Sequence, residues 1–467
     1  MTNTVNHLEI IVLAAGKGTR MCSDQPKVLH KLAGKPMIDH VLNSVLALNP
    51  DRVHVVVGHL WEQVEQHLAV YQKTKILHQP LHMVKQAKQF GTADAVKQLL
   101  PHLNADSKVL IVYGDVPLTC TQSLKRLVAQ AGQNAIGLMT VELADPKGYG
   151  RIVRNQQSEV IAIVEEQEAD AATQQITEVN TGILALPAKM LLALIPQISN
   201  ANAKGEFYLT DIIGLAVGQH RSIRTIQPEH EMEVQGVNNF VQLAHLERVY
   251  QNQQAVKLMQ AGAHLADPAR FDLRGTLQHG KDIFIDVNVV LEGHVTLGNN
   301  VVIEANCIIR NTIIGDNSYI KANSLIDGAQ LAKQCIIGPF ARLRPGSQLA
   351  DGVAIGNFVE TKNANIGQGS KVNHLAYMGD IAIGQQTNVG AGAIHCNYDG
   401  KKKHYSYVGE HSFVGSNTAM IGPVRIGSHA LLAAGSVINK NVPDHSLAVA
   451  RKSQQNIDMS WKKEDKD

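Results

Sequence analysis

The hydrophobic positions follow different periodicities in the two halves of the chain. In roughly the first 240 residues, short apolar β-branched runs alternate with segments of helical spacing. This alternation predicts βαβ units, a mostly parallel sheet and a Rossmann-like α/β domain over residues 1–240. Ligands of such sheets bind beyond the carboxyl ends of the strands. The predicted strands are Glu9–Leu13, Val53–Val57 and Val109–Tyr113, and the predicted helices include Met37–Leu48 and Ala93–Leu100.

Residues 241–261 are predicted to form a long helical connector. From Phe240 to Ala261 the apolar residues recur at helical spacing, and the stretch contains neither proline nor glycine. A helix of that length spans about 30 Å at ~1.5 Å per residue. Because the composition changes at this point, we interpret the helix as a rigid connector between two domains.

Aliphatic residues recur at every sixth position through most of the second half, residues 262–467. A six-residue repeat is typical of a parallel β-helix. Each hexad is a short strand and a turn, three hexads form one coil, and the aliphatic side chain points into a triangular prism. The predicted inward positions are Ile285, Leu291, Leu297, Ile303, Ile309, Ile314, Ile320, Ile326, Ile337, Leu343, Leu349, Ile355, Ile383, Val389, Val408, Val414, Met420, Ile426, Leu432 and Ile438.

The repeat is expected to break in two places. Between Val389 and Val408 the spacing requires an extruded loop. Between Ile366 and Ile383 polar residues and His374 are expected to interrupt the aliphatic series. Loops on a rigid scaffold often carry function, so both segments are candidate sites.

Composition narrows the possible functions. The 467 residues have a formal net charge of +2, which does not favour a nucleic-acid binder. Apolar runs stay short of the ~18 residues that a membrane span needs. The five cysteines form no CxxC pair, which disfavours a zinc ribbon and suits a reducing compartment. We therefore expect a cytoplasmic protein that binds neither nucleic acid nor a membrane.

A glycine-rich turn follows the first predicted strand. The string LAAGKGTRM begins at Leu13, and Pro26-Lys27 comes soon after it. It lacks the third glycine of a dinucleotide fingerprint and the closing GK[ST] of a P-loop. Its two glycines allow an anion-binding nest of backbone N–H groups, and Lys17, Arg20 and Lys27 supply positive charge.

Together with PK at Pro26-Lys27, this string resembles the signature of sugar-nucleotide pyrophosphorylases. With the hexapeptide repeat, the chain from Leu8 to about Arg451 resembles the family of bifunctional bacterial N-acetylglucosamine-1-phosphate uridyltransferases / glucosamine-1-phosphate N-acetyltransferases. One departure lies in the first half, where Ala93-Asp94 stands in place of the family's Gly-His. The other matching strings are YGDVPL (Tyr113–Leu118), GYGRI (Gly148–Ile152), NTGI (Asn180–Ile183), EFYLTD (Glu206–Asp211), VNN (Val237–Asn239), RLRPG (Arg342–Gly346), HLAYMGD (His374–Asp380) and CNYDG (Cys396–Gly400).

The resemblance implies a two-step synthesis of UDP-N-acetylglucosamine, a precursor of peptidoglycan and lipopolysaccharide. Acetyl-CoA would acetylate glucosamine-1-phosphate, and UTP would then transfer UMP to N-acetylglucosamine-1-phosphate with release of pyrophosphate. It also implies Mg²⁺, a left-handed β-helix and a homotrimer. Two other hypotheses remain open: a monofunctional pyrophosphorylase with a structural or regulatory β-helix, and a non-catalytic binding protein.

The resemblance also assigns residues in the first half. Asp115 and Asn238 would bind the metal, and Arg20 and Lys27 would be catalytic by holding the triphosphate. Residues implied to bind UTP or the UDP-sugar are Leu13, Ala14, Ala15, Gly16, Lys27, Gln86, Gly91, Thr92, Tyr113, Gly114, Asp115, Gly150, Glu165, Asn180 and Asn238.

In the second half the resemblance makes His374 the catalytic base, because imidazole can accept the amine proton near pH 7. Glu360 is a candidate to orient it, and Lys403 is a further candidate contact for the coenzyme. The implied glucosamine-phosphate ligands are Arg344, Lys362, Tyr377 and Asn388. The implied acetyl-CoA contacts are Ala391, Asn397, Tyr398, Ser416, Ala434 and Arg451, with Asn397 and Tyr398 also bordering the sugar pocket.

Overall fold

The computed structural model describes residues 7–75, 80–202 and 204–457. The chain divides into two compact units, and the division falls between Tyr250 and Gln251. That point lies inside helix α8, Phe240–Gln260. The separation of residues 241–261 as a connector stays a prediction. No helix among the described ranges is long and apolar enough to cross a membrane.

The first unit is built on a nine-stranded sheet with helices around it, and two short strands, Lys31–Leu32 and Lys35–Pro36, form a separate two-stranded sheet. The strands are β1 (Leu8–Ala14), β2 (Lys31–Leu32), β3 (Lys35–Pro36), β4 (Arg52–Val57), β5 (His82–Lys85), β6 (Lys108–Tyr113), β7 (Ala135–Glu142), β8 (Arg151–Arg154), β9 (Val160–Val164), β10 (Glu178–Pro187) and β11 (Ser222–Ile226). The helices are α1 (Met37–Leu46), α2 (Trp61–Lys75), α3 (Thr92–Lys97), α4 (Thr121–Gln130), α5 (Ala171–Gln174), α6 (Ala188–Leu194), α7 (Asp211–Gly218) and α8, with 3₁₀ turns at Thr19–Met21, Lys27–Leu29, Leu100–His102, Ile195–Gln197 and Glu231–Val234.

The sheet has the strand order β11-β7-β10-β6-β1-β4-β5. Along this path β10 alone runs against the others, so the predicted mostly parallel arrangement is confirmed. The predicted strands match β1, β4 and β6, which are almost continuously apolar because helices cover both faces. Leu13 at the end of β1 is paired with Tyr113 at the end of β6, so their loops meet at one edge.

The second unit is a parallel β-helix, as predicted. Ile303 is paired with Ile285 and Ile320, and Ile337 with Ile320 and Ile355, so successive coils stack in register. The strands are His264–Leu265, Phe271–His279, Phe284–Ile285, Val289–Leu297, Val302–Ile303, Ile308–Arg310, Ile313–Ile314, Tyr319–Ile320, Leu325–Asp327, Gln330–Leu331, Ile336–Ile337, Arg342–Leu343, Gln348–Leu349, Ala354–Asn357, Glu360–Ile366, Lys371–His374, Tyr377–Ile383, Asn388–Val389, Ile394–Cys396, Ser406–Val408, Phe413–Val414, Ala419–Ile421, Arg425–Ile426, Leu431–Leu432, Val437–Ile438 and Leu447–Ala448, and a 3₁₀ turn lies at Pro268–Arg270.

The hexad positions form the core of this unit. All twenty predicted inward residues are at most 4% exposed and belong to one apolar cluster. Burying an aliphatic side chain of this size contributes about 1.5–3 kcal/mol. Stacked over many coils, this burial is a main source of stability for the unit.

One of the two predicted breaks is wrong. Val372 and Met378 are fully buried and continue the aliphatic series between Ile366 and Ile383. The other break is confirmed: Val389 is paired with Val414 rather than with a residue 17 or 18 positions further on. The extra residues form a loop after Cys396, closed by an antiparallel bridge between Tyr398 and Lys403.

Candidate active sites

A cavity of about 610 Å³ opens at the carboxyl edge of β1, β5 and β6. It lies where the sheet topology predicted a ligand site. Gly114, which follows β6, adds to the same edge, since its backbone N–H donates to Leu13 O at 2.9 Å. Thirteen of the sequence-predicted ligands line the cavity: Leu13, Ala14, Ala15, Gly16, Lys27, Gln86, Gly91, Thr92, Tyr113, Asp115, Gly150, Glu165 and Asn180.

The two predicted metal ligands lie close together with the two predicted catalytic cations. The backbone N–H of Val237 donates to Asp115 O at 3.0 Å, which brings Asn238 to the end of β6. The Lys27 ammonium forms an ion pair with Asp115 and donates to Asn238 Oδ1 at 3.3 Å. Arg20 Nη2 donates to the same Asn238 oxygen at 2.9 Å.

This donor set fits Mg²⁺. One carboxylate and one amide oxygen converge on the same ammonium, so a single cation can contact both side chains. Mg²⁺ keeps several waters and needs only one or two protein oxygens beside substrate phosphates. Among the described residues no cluster of three or more His, Cys, Asp or Glu forms a metal cage. The site therefore suits a cation that is shared with a phosphate ligand.

Gln86 and Gly91 form one end of the cavity. Gln86 is 3% exposed, and its Nε2 donates to Gly91 O at 3.0 Å and to Asp94 Oδ2 at 2.8 Å. Gly91 has φ +117°, and a Cβ there would lie 2.4 Å from the carbonyl oxygen of Phe207. Only glycine lets these two segments approach so closely.

Gly150 and Glu165 form the other end. Asn180 N donates to Gly150 O at 2.8 Å, so β10 holds the turn before β8. A Cβ at Gly150 would lie 2.9 Å from Ile163 Cγ2, and Glu165 lies directly beyond it. Thr210 donates from Oγ1 to Glu165 Oε1 at 3.1 Å. Sequence reasoning missed several lining residues that come from separate loops: Gln89, Tyr149, Thr181, Gly182, Glu206, Tyr208 and Thr210.

Tyr113 also lines the cavity. Burial raises the pKa of its phenol, and the nearby Asp115 and Glu165 add to the increase. A Cβ at Gly182 would lie 2.6–2.9 Å from the Tyr113 ring, so this glycine (φ +80°) makes room for it. The phenol therefore stays neutral beside the metal ligands. The NTGI string contained the signal for this glycine, but only the structure shows that it faces Tyr113.

In the second unit, cationic side chains form a cluster around a buried carboxylate. Lys362 lies beside Lys403 and near Arg344, and Lys403 is the first cause of the lowered pKa of the Lys362 amine. Asp380 is 8% exposed and accepts from Asn397 Nδ2 at 2.6 Å. Burial opposes ionisation of Asp380, yet hydrogen bonds and the lysines lower the pKa of its carboxyl. Three cations beside one carboxylate can bind a phosphate dianion.

His374 is exposed at the end of the strand Lys371–His374. Its Nδ1 lies 2.8 Å from Asn357 Oδ1, one coil below it. Because an amide oxygen accepts, the Nδ1–H donates and Nε2 is left with a lone pair. His374 thus can act as a base through Nε2. Sequence reasoning missed Asn357, which lies one coil before His374 in the strand register.

The prediction that Glu360 orients His374 is wrong. Glu360 Oε1 accepts from Arg344 Nη1 at 2.8 Å, and its Oε2 accepts from Arg342 Nη1 at 3.4 Å. The carboxylate therefore fixes the guanidinium of Arg344. Arg342 and Arg344 line a cavity of about 580 Å³ on the surface of the β-helix.

Tyr377 connects the cationic cluster to the extruded loop. Asn397 Nδ2 lies 3.5 Å from the Tyr377 hydroxyl, and the Tyr377 ring turns back over Gly379. Asn388 lies on the sheet of His374, one coil after Lys371. Tyr398 is 60% exposed on the loop itself.

The remaining candidates lie at one corner of successive coils. Ala391, Ser416 and Ala434 each stand two residues after a set of paired strand positions, Val389, Val414 and Leu432, so they stack in a column. The glycine that precedes Ala391 allows this close stacking, because a Cβ at Gly390 would lie 2.6 Å from Ser416 N. Arg451 is exposed after the last strand. This smooth column can carry a thin extended ligand.

These two units define a class of protein: a transferase with a nucleotidyltransferase domain and a hexapeptide-repeat acyltransferase domain. Family models agree with both parts. A MobA-like NTP transferase domain matches residues 10–178, the GMPPB C-terminal domain matches residues 275–359, and the hexapeptide repeat of succinyl-transferase matches residues 407–440.

Full-length relatives identify the family. The chain is 55% identical over 450 residues to the bifunctional protein GlmU of Saccharophagus degradans, which covers 96% of this chain and 98% of the relative. It is 52% identical over 456 residues to that of Cellvibrio japonicus, with 98% and 99% covered. The chain belongs to the bifunctional GlmU family. Among solved structures, a UDP-glucose pyrophosphorylase complexed with UDP-glucose covers 53% of this chain and 99% of its own, at 14% identity and a TM-score of 0.45.

Proposed function

We propose that this chain makes UDP-N-acetylglucosamine in two steps. The β-helix acetylates glucosamine-1-phosphate with acetyl-CoA, and the first unit transfers UMP from UTP to N-acetylglucosamine-1-phosphate and releases pyrophosphate. The observation that carries the proposal is that one chain holds both constellations. Lys27, Asp115 and Asn238 converge in one unit, and His374 with a free Nε2 lies on the other.

In the first unit, a sugar-phosphate oxygen attacks the α-phosphorus of UTP, and the P–O bond to pyrophosphate breaks. The chain's own task is to position both reactants and to neutralise charge. Asp115 and Asn238 would hold Mg²⁺, which screens the phosphate charges when it is bound. Arg20 and Lys27 bind the triphosphate oxygens, and Gly150, Glu165 and Asn180 hold the acetylated sugar at the opposite end of the cavity.

In the second unit, the sugar amine attacks the thioester carbonyl of acetyl-CoA, and CoA leaves as the thiolate. His374 Nε2 accepts the amine proton while Asn357 retains the proton on Nδ1. Arg344 and Lys362 bind the sugar phosphate, with Tyr377 and Asn388 on the sugar. The pantetheine arm lies along Ala391, Ser416 and Ala434, and Asn397, Tyr398 and Arg451 complete the coenzyme site.

The proposal includes a homotrimer with acetyltransferase sites between subunits. Phe340 and Phe358 stack at 5.4 Å and are 49% and 56% exposed, and Leu375 beside His374 is 61% exposed. Such an apolar column suits burial against another copy of the chain. Sedimentation equilibrium should give three chains per particle. The proposal also includes a cytoplasmic location and a role in supplying precursors of peptidoglycan and lipopolysaccharide.

The direct test supplies glucosamine-1-phosphate, acetyl-CoA, UTP and Mg²⁺ to the purified chain. UDP-N-acetylglucosamine, CoA and pyrophosphate should all form. Without acetyl-CoA, product should form only from added N-acetylglucosamine-1-phosphate. If CoA is not released from any amino sugar phosphate, the chain is a monofunctional pyrophosphorylase with a structural β-helix. Failure of both half-reactions would leave the non-catalytic hypothesis.

A further inference from the structure

We propose that Asp94 is a positioning residue that sets the base specificity of the nucleotide cavity. It would do so by fixing the orientation of the Gln86 side-chain amide. This inference rests on the proposed function, in which Gln86 contacts the base of the nucleotide.

The contacts of Gln86 leave only one orientation of its amide. Its terminal nitrogen lies 3.0 Å from Gly91 O and 2.8 Å from Asp94 Oδ2, and both of these atoms are acceptors. With the amide reversed, Gln86 Oε1 would face a carbonyl and a carboxylate without any hydrogen between them. Such a loss of both hydrogen bonds at a nearly buried group strongly disfavours the reversed amide. Asp94 therefore holds Nε2 inward.

In this orientation the Gln86 amide presents only its oxygen to a ligand in the cavity. Both hydrogens of Gln86 Nε2 are used, and none of the described residues donates to Oε1. Gln86 lines the cavity, so it offers an acceptor and no donor to a bound base. Uracil presents an N–H at N3, which can donate to that oxygen. Cytosine presents a lone pair at N3, which would face another lone pair.

Asp94 also accepts from Gln98, but not through the Oδ2 atom that contacts Gln86. Gln98 Nε2 donates to Asp94 Oδ1 at 3.3 Å and to Asp94 O at 3.2 Å. The two side-chain oxygens of Asp94 thus serve two different amides. Gln98 provides a matched control, because it contacts Asp94 but does not line the cavity.

The test compares UTP with CTP as nucleotide donor in the full-length enzyme, with Mg²⁺ and N-acetylglucosamine-1-phosphate. Asp94→Asn keeps the volume but can also donate to Gln86 Oε1, so only Gly91 O still opposes the reversed Gln86 amide and that orientation becomes more populated. The ratio of kcat/KM for UTP to that for CTP should fall about tenfold, as expected when one buried hydrogen bond no longer discriminates. The KM for N-acetylglucosamine-1-phosphate and the rate of acetyl transfer should not change.

Gln98→Ala should keep the wild-type ratio, and adding Asp94→Asn to Gln86→Ala should cause no further loss of selectivity. Equal losses with UTP and CTP would show a merely structural role and overturn the inference. So would a wild-type ratio in Asp94→Asn, or an effect that persists without Gln86. If the wild-type enzyme uses neither nucleotide, the proposed function itself has failed.

Discussion

The two units place their candidate residues in different surroundings. In the first unit, thirteen predicted ligands line one cavity of about 610 Å³ at a sheet edge. In the β-helix the candidate base His374 is exposed, and Ala391, Ser416 and Ala434 form an open column on one corner. Loops surround the residues of the first site, whereas the residues of the second site are aligned along the surface of successive coils. A single chain can therefore surround a nucleotide, but it gives the acetyl acceptor only one wall.

The strongest test of this difference is a substitution that inactivates one site, followed by assays of both activities. Asp115→Asn keeps the size of the side chain but removes the charge that faces Lys27 and the metal position. Uridylyl transfer should fall by about 10⁴-fold or more, because charge neutralisation at the phosphates supplies several kcal/mol. Acetyl transfer, measured by CoA release, should stay near wild type. Loss of both activities would contradict two independent sites.

The reciprocal change is His374→Asn. It removes the imidazole that is proposed to accept the amine proton, and acetyl transfer should fall by about 10²- to 10⁴-fold. Pyrophosphate release from UTP and N-acetylglucosamine-1-phosphate serves as the control and should not change. A variant that still acetylates at the wild-type rate would exclude His374 as the base.

The cores of the two units also follow different sequence periods. Two neighbouring residues of the β-helix can test its six-residue period. Ile337 is fully buried in the prism, whereas Ile336 is 46% exposed on the same strand. Ile337→Ala should destabilise the β-helix by about 2–5 kcal/mol, and Ile336→Ala by less than ~0.5 kcal/mol. Hydrogen exchange of peptides from the adjacent coils measures the difference. Equal effects would mean that the hexad register is wrong.

The sequence predicted the inward positions of the β-helix well, because buried aliphatic residues recur there at a fixed period of six. It failed at Val372 and Met378, where polar neighbours concealed two inward positions. Motifs likewise identified Asp115 and Asn238 as candidate metal ligands, and the structure brings them together through the hydrogen bond from Val237 N to Asp115 O. Asn357 could not be found in this way, because its contact with His374 depends on which residue lies one coil below.

That contact allows a finer test of the exposed site. Asn357→Ala should lower kcat for acetyl transfer about tenfold with little change in KM, because the tautomer with a free Nε2 is no longer favoured. Asn357→Asp retains an acceptor and should restore most of the rate. Its carboxylate should also shift the pH profile of kcat/KM, because a neighbouring negative charge favours a cation. An unchanged pH profile in Asn357→Asp would show that residue 357 does not act on His374.

The smallest expected effect concerns a second histidine of the β-helix, which is buried rather than exposed. His395 donates from Nδ1 to Gly379 O at 2.6 Å, and its Nε2 lies 2.7 Å from Ser406 Oγ. Burial lowers the pKa of this imidazole below its ordinary 6.5. Below pH 6.5 the unfolded chain therefore binds more protons than the folded one, and stability falls as pH falls, by at most ~1.4 kcal/mol per pH unit from this group.

Its contribution is complete above pH 6.5 and is lost progressively from there down to the pKa of the folded state. His395→Asn retains a donor for Gly379 but cannot titrate. Between pH 7.5 and 5.5, hydrogen exchange in the coils around residue 395 should accelerate in the wild type and much less in His395→Asn. The exposed His294 offers the control, since His294→Asn should keep the wild-type pH response. If the His395 variant responds as the wild type does, another group sets the acid sensitivity of these coils.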